Sequence, residues 1–290
     1  MKRFLLIVMM LFTLPFREGT GLGLYAITTE QEQQFKYYWY AARQAITDER
    51  YTDAYVLLQF CIALNPDDAQ TLTYLAAMYE AVGDRQRAQA AYQRAYELAP
   101  QDCWEHYLEP QLMQQIERQE WKQALQTQDL IDRYKGEYDV YSALTRYRIY
   151  AMWGKPKKAI EAIDRYLETD PTNIRFQLFK LELLERTKAK KKVLYAQYER
   201  ILEIDPYNLM VLNNYAYLLA TNKGDLNKAE QLSALTIREE PNNPTYLDTY
   251  GWIMHLKGQD ELAKFYLNKA LWNAPEDTRA VIEEHLNAIK

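Results

Sequence analysis

Residues 246–275 read YLDTYGWIMHLKGQDELAKFYLNKALWNAP, and the spacing inside this stretch decides the fold. Leu247, Tyr250, Gly251 and Met254 recur at intervals of three and four, which puts them on one face of an amphipathic helix. Gly258 supplies a turn, and Ala263, Tyr266, Leu267 and Ala270 make a second stripe that ends at Pro275. Gly251, Ala263 and Ala270 fall where two helices cross closely, and a larger side chain there would overpack the contact. The stretch therefore predicts a helical hairpin.

The same hairpin is written elsewhere in the chain. Leu72, Leu75, Ala76 and Tyr79 precede Gly83, followed by Ala88, Tyr92, Ala95 and Pro100. Tyr38, Ala41, Ala42 and Ala45 are followed by Ala54, Leu58, Cys61 and Pro66. The prolines Pro66, Pro100, Pro171, Pro206, Pro241 and Pro275 are separated by 34, 71, 35, 35 and 34 residues, the 71 being two periods with the middle mark lost near Lys135-Gly136. Two places after each stands Asp68, Asp102, Asn173, Asn208, Asn243 or Asp277. A proline that closes one helix and an Asx residue that caps the next explain this pairing. A period of this length marks a repeat array, in which each unit buries its apolar face on its neighbours.

On these residues the chain resembles the tetratricopeptide repeat family. Asn213-Asn214-Tyr215-Ala216-Tyr217 and Tyr246 through Trp252 are similar to bacterial exported and envelope members, and the resemblance covers nearly everything after residue 33. It implies an all-α, right-handed α-solenoid of about seven hairpins: 35–68, 69–102, 103–137, 138–173, 174–208, 209–243 and 244–277, with a capping helix over 278–290 and the solenoid region spanning 27–290. Two units depart from the pattern. Pro110 is expected to interrupt the first helix of the third, and the fifth has Glu182 and Leu194 at positions where small residues are expected.

The 290 residues leave no room for a second globular domain. Net charge is −5 with both signs dispersed, and the only basic cluster is Lys188 to Lys192, so no basic face for nucleic acid is visible. The 25 tyrosines are read mainly as repeat positions, among them Tyr79, Tyr150, Tyr215 and Tyr250. Met1-Lys2-Arg3, the apolar run Phe4 to Phe16 and the small residues Gly19, Gly21, Gly23 and Ala26 read as a secretory signal over residues 1–26. Cleavage falls after Gly21 or Ala26, and an uncleaved inner-membrane anchor over residues 4–16 is the alternative. No cysteine lies near this run, so no lipid-modified cysteine is expected. Cys61 and Cys103 are a whole repeat apart and are expected to be free thiols.

The chain offers little for chemistry. Each glycine has a place in the leader or in a repeat, so no phosphate-cradling loop remains. His106, His255 and His285 have no histidine or cysteine at metal-ligand spacing. Ser142 and Ser233 are the only serines, and neither sits in a strand-to-helix elbow. No catalytic residue, metal site or cofactor is expected, and the protein reads as a non-enzyme.

The resemblance implies that the first helix of each hairpin lines a concave groove. By register the groove positions include Trp39, Arg43, Thr73, Arg148, Asn213, Tyr217, Asp248 and Trp252. Arginine, amide and aromatic side chains together suit an extended peptide. The family's lysine–asparagine carboxylate clamp is not reproduced, since Trp39, Arg43, Tyr74 and Ala77 occupy the corresponding places. The expected function is that of a scaffold for a protein or peptide partner, exported to the periplasm by its leader. The alternatives are an assembly subunit that uses its convex face or ends and, third, a carbohydrate- or lipid-binding protein.

Overall fold

The computed structural model describes residues 28–289. Among them are fifteen α-helices and no strand. The leader and both of its cleavage positions lie outside the described residues. The chain divides after Trp153 into two compact units.

The first unit holds α1 (Thr29–Thr47), α2 (Tyr51–Leu64), α3 (Ala69–Ala81), α4 (Arg85–Leu98), α5 (Pro100–Glu117), α6 (Trp121–Lys135) and α7 (Val140–Met152). The second holds α8 (Pro156–Leu167), α9 (Ile174–Arg186), α10 (Lys191–Ile204), α11 (Leu209–Thr221), α12 (Leu226–Glu239), α13 (Pro244–Leu256), α14 (Asp260–Asn273), a 3-10 turn (Glu276–Thr278) and α15 (Arg279–Ala288). Within each unit consecutive helices pack together, and first helices of neighbouring hairpins also touch, as α3 does α5 and α11 does α13.

Short polar signals set the helix ends. Asp68, Asp139, Asn173, Asn208 and Asn243 each accept a hydrogen bond from a backbone N–H of the following first turn. Two of the expected Asx caps are absent. Pro100 is the first residue of α5 and Ala99 serves as the end of α4 and the start of α5, so Asp102 falls inside the helix. Asp277 lies within the 3-10 turn.

The turn inside each hairpin has its own period. Glu49, Gly83, Gln119, Gly154, Lys188, Lys223 and Gly258 all adopt positive φ, at spacings of 34, 36, 35, 34, 35 and 35 residues. The left-handed position is thus held by glycine at only three of the seven, and in the turn before α12 it falls on Lys223 rather than on Gly224. Pro110 does not interrupt its helix: α5 runs unbroken from Pro100 to Glu117. The proline is exposed, while Trp104, Leu108, Leu112 and Ile116 anchor the helix from both sides of it.

Small residues set the helix crossings. Ala42, Ala45, Ala54, Ala76, Ala95, Ala216, Ala229, Ala263 and Ala270 are fully buried. At Gly251 an added Cβ would lie 2.8 Å from Leu267 Cγ and 3.2 Å from the Ala263 carbonyl oxygen. The α9–α10 hairpin solves the crossing differently. Gln197 donates from Nε2 to the Gln177 side-chain oxygen at 2.7 Å and to the Gln177 carbonyl at 3.0 Å, both residues being buried. Glu182 is exposed and takes no part in this crossing, while Leu194 is buried beside it. Tyrosines fill much of the rest: Tyr198 and Tyr215 stack at 5.0 Å, and the Tyr215 hydroxyl donates to Glu199 at 2.9 Å. Cys61 and Cys103 are free and buried, and burial pushes the Cys61 thiol up to about 12.

Two glycines of the last hairpin separate the two constraints. Gly251→Ala should cost about 1–3 kcal/mol by overpacking against Leu267. Gly258→Ala meets no atom within 4 Å and should cost about 1 kcal/mol through its φ of +77° alone. Denaturant melts of Gly258→Asn should recover most of the loss, because asparagine tolerates the left-handed region, and Gly251→Asn should lose more than Gly251→Ala. The reverse order would mean that the crossing is not close at Gly251.

Candidate functional site

The eight sequence-predicted groove residues divide by helix register. Trp39, Thr73, Asn213 and Asp248 are buried, at 5, 2, 4 and 9% exposure. This corrects the expectation that they line an open surface, and in particular that Thr73 is exposed. The reason is that this register position points at the next first helix. Trp39 packs edge-on against Tyr74 at 5.2 Å. The Thr73 hydroxyl donates to the Ala69 carbonyl at 2.9 Å and lies 3.6 Å from Cys103 Sγ on α5. Ala77, one turn after Thr73, is buried as well, unlike Arg43, Arg148, Tyr217 and Trp252 at that later position in other hairpins.

The positions one helical turn later behave differently. Arg148 and Tyr217 are exposed, and Arg43 and Trp252 are partly exposed. In the first unit Arg43 lies near Tyr74, whose hydroxyl is pushed up by burial while the Arg43 guanidinium works against the shift. The α6–α7 contact carries ionic groups that sequence reasoning missed. Arg146 pairs with Asp129 at 2.7 Å and with Asp132 at 2.5 Å, and the fully buried Ser142 hydroxyl donates to Asp132 at 2.7 Å and to Asp139 at 2.9 Å. That serine is held as a structural donor between carboxylates.

In the second unit three of the predicted residues converge on one missed partner. His285 of α15 donates from Nδ1 to Asp248 Oδ1 at 2.8 Å. Its ring stacks on Trp252 with centroids 4.4 Å apart and planes 19° apart, and lies 6.5 Å from the Tyr217 ring. The Asp248 side chain is 13% exposed and that of His285 12%. Asn213, one turn before Tyr217, keeps its side-chain oxygen buried without a hydrogen-bond partner. The 37-residue step from Asp248 to His285 is off the repeat period, so periodicity gave no hint of it. His255 pairs instead with Asp260 at 2.8 Å. Among the described residues no group of three or more His, Cys, Asp or Glu side chains converges as metal ligands would. No described helix is long and apolar enough to cross a membrane.

Profiles described as tetratricopeptide repeat match residues 69–102, spanning α3 and α4, and 197–231, spanning α11 with its neighbours. Two segments of the chain thus carry the tetratricopeptide repeat pattern. A TPR repeat-containing protein of Pseudomonas aeruginosa is 31% identical over 124 residues, which is 41% of this chain and 20% of that protein's length. Among solved structures, the TPR protein YrrB, titled as having an unusual peptide-binding site, aligns with a TM-score of 0.43 at 17% identity over 78% of this chain and 97% of its own. A tetratricopeptide repeat protein from Parabacteroides merdae gives 0.42 at 17% identity, covering 88% of this chain and 98% of its own. The type IV pilus biogenesis factor PilW gives 0.39 at 15% identity, covering 88% and 99%.

The register division is measurable in this chain. Trp39→Ala should cost about 3–5 kcal/mol, as large aromatic truncations in packed sites do. Arg148→Ala should stay within about 0.5 kcal/mol of the parent, as for an exposed position. Urea melts that give the two variants equal midpoints would contradict the assignment.

Proposed function

We propose that the chain is a non-enzymatic scaffold that holds a protein or peptide partner on its first-helix faces. The tetratricopeptide repeat fold is that of protein-interaction scaffolds in general. The observation that carries the finer reading is the second register position, where Arg43 and Arg148 in the first unit and Tyr217 and Trp252 in the second are open or half-open, although Ala77 at the same position is buried. Guanidinium groups meet carbonyls and carboxylates of an extended chain, and the rings bury its side chains. In this reading the solenoid has seven units, 35–68 through 244–277, and α15 belongs to the cap. The leader over residues 1–26 supports export to an envelope compartment, with a retained anchor over 4–16 as the other outcome.

One observation favours a second reading, assembly through the outer face. Leu262, Phe265 and Trp272 are exposed on α14 at 38, 61 and 88%. Light scattering separates the two: a monomer at all concentrations argues against self-assembly.

The triple variant Arg43→Ala, Arg148→Ala, Tyr217→Ala should keep its helical circular dichroism and lose capture of the cellular partner by affinity pull-down. Undiminished capture by that folded variant removes the first-helix reading. Mass spectrometry of the purified native protein reports the mature N-terminus, which should begin after Gly21 or Ala26; an intact Met1 removes the cleaved-signal reading.

A further inference from the structure

The Asp248–Trp252–Tyr217 cluster is filled by the chain's own His285 side chain. We infer that this cluster is the recognition pocket for an arginine side chain of the partner, and that His285 is a displaceable internal placeholder for it. The inference rests on the first-helix reading above and names the chemistry of one contact within it.

The argument begins with Asp248. Its carboxylate is almost wholly buried, and its partner is a single N–H, that of His285. A buried carboxylate without a donor is strongly unfavourable, so this position requires an N–H group, and a cation satisfies it best. One turn further along α13, Trp252 offers its ring face, and Tyr217 of α11 offers a second ring. A carboxylate beside two aromatic faces selects a group that is flat, positive and rich in N–H donors. Guanidinium meets all three requirements: it binds carboxylates through paired donors and stacks on aromatic rings. The imidazole of His285 is flat and donates one N–H, so it reproduces part of that pattern from within the chain.

The helix that carries the placeholder is anchored by Ile282, by Leu286 packed on the same core and by Ile289 buried just after it. The α15 helix has ten residues, Ile282 is its one buried residue, and its N-cap Thr278 makes no side-chain capping bond. Helices this short are marginal unless packing holds them. Because Ile282, Leu286 and Ile289 seat the helix, the His285 side chain itself is held in the pocket by its pairing with Asp248 and its stack on Trp252, and exchange needs only that side chain to swing out. An arginine that makes the same contacts with more donors can exchange with it, and occupancy by His285 lowers the apparent affinity for that arginine by the fraction of time the pocket is filled.

The test uses the full chain and fluorescein-labelled pools of short peptides with a fixed central arginine, lysine or citrulline. Citrulline keeps the planar N–H donors and removes the charge. The arginine pool should bind about five- to tenfold more tightly than the citrulline pool, the scale of a desolvated cation–π and ion-pair contact. H285A should tighten the arginine pool and H285R should weaken it, both variants keeping the parental helicity. Opposite signs at one position are not expected from a loosened cap alone. D248N should keep binding of the citrulline pool and lose the preference for arginine. If H285A weakens the arginine pool or leaves it unchanged, or D248N keeps the preference, the inference is wrong while first-helix peptide binding stands. If no pool binds the parent or H285A, the first-helix reading itself fails and takes the inference with it.

Discussion

The structure depends on how closely two helices can approach. Where Gly251 faces Ala263 and Leu267 of the partner helix, the backbones come near enough to fix the rotation of each helix about its axis, and Ala42, Ala76 and Ala216 are fully buried small residues on other first helices. That rotation decides which positions point at the neighbour and which point to water. No long-range core could do this, because a repeat array distributes its stability over hairpins and their immediate contacts. The α9–α10 hairpin shows that the constraint is geometric and not a matter of alanine as such. There the Gln197 amide donates across the crossing to the side-chain and backbone oxygens of Gln177, which fixes the rotation through donors and acceptors instead of through small volume.

The same rotation produces the candidate site. Position 248 and its counterparts 39, 73 and 213 are turned toward the next first helix and become part of the packing. One turn later Arg43, Arg148, Tyr217 and Trp252 stay open or half-open to solvent, whereas Ala77 is buried. At the end of the array the next first helix is α15, and a histidine occupies the place that faces Asp248. In the proposed reading, packing and recognition meet in one register, and in the last hairpin the same side chains would serve both.

Much of this was legible in the sequence, and the parts that were not share a cause. The hairpin of residues 246–275 showed its crossing residues because small side chains at fixed spacing leave a periodic mark. The caps at Asp68, Asn173, Asn208 and Asn243 were legible for the same reason, each being a local signal within three residues of its hydrogen bond. Thr73 and Trp39 were misplaced because one turn of a helix separates the packing face from the open face, and residue type does not reveal which side a threonine or a tryptophan takes. Pro110 misled because the ring's position on the exposed side of α5 becomes visible only once Leu108 and Leu112 are seen packed behind it. His285 and the Arg146 ion pairs were missed because they join residues off the repeat period, where single-sequence reasoning has no rule to apply.

The central claim is that the open register position of the first helices is where a partner sits. The most direct measurement places a photoreactive amino acid singly at Arg148, at Tyr217 and, for contrast, at Phe265 and Trp272 of α14, irradiates intact cells, and identifies the adducts by mass spectrometry. The account predicts adducts to a common separate protein from Arg148 and Tyr217 and none to it from Phe265 or Trp272. Adducts from the α14 positions alone, or adducts only to further copies of this chain, would contradict it.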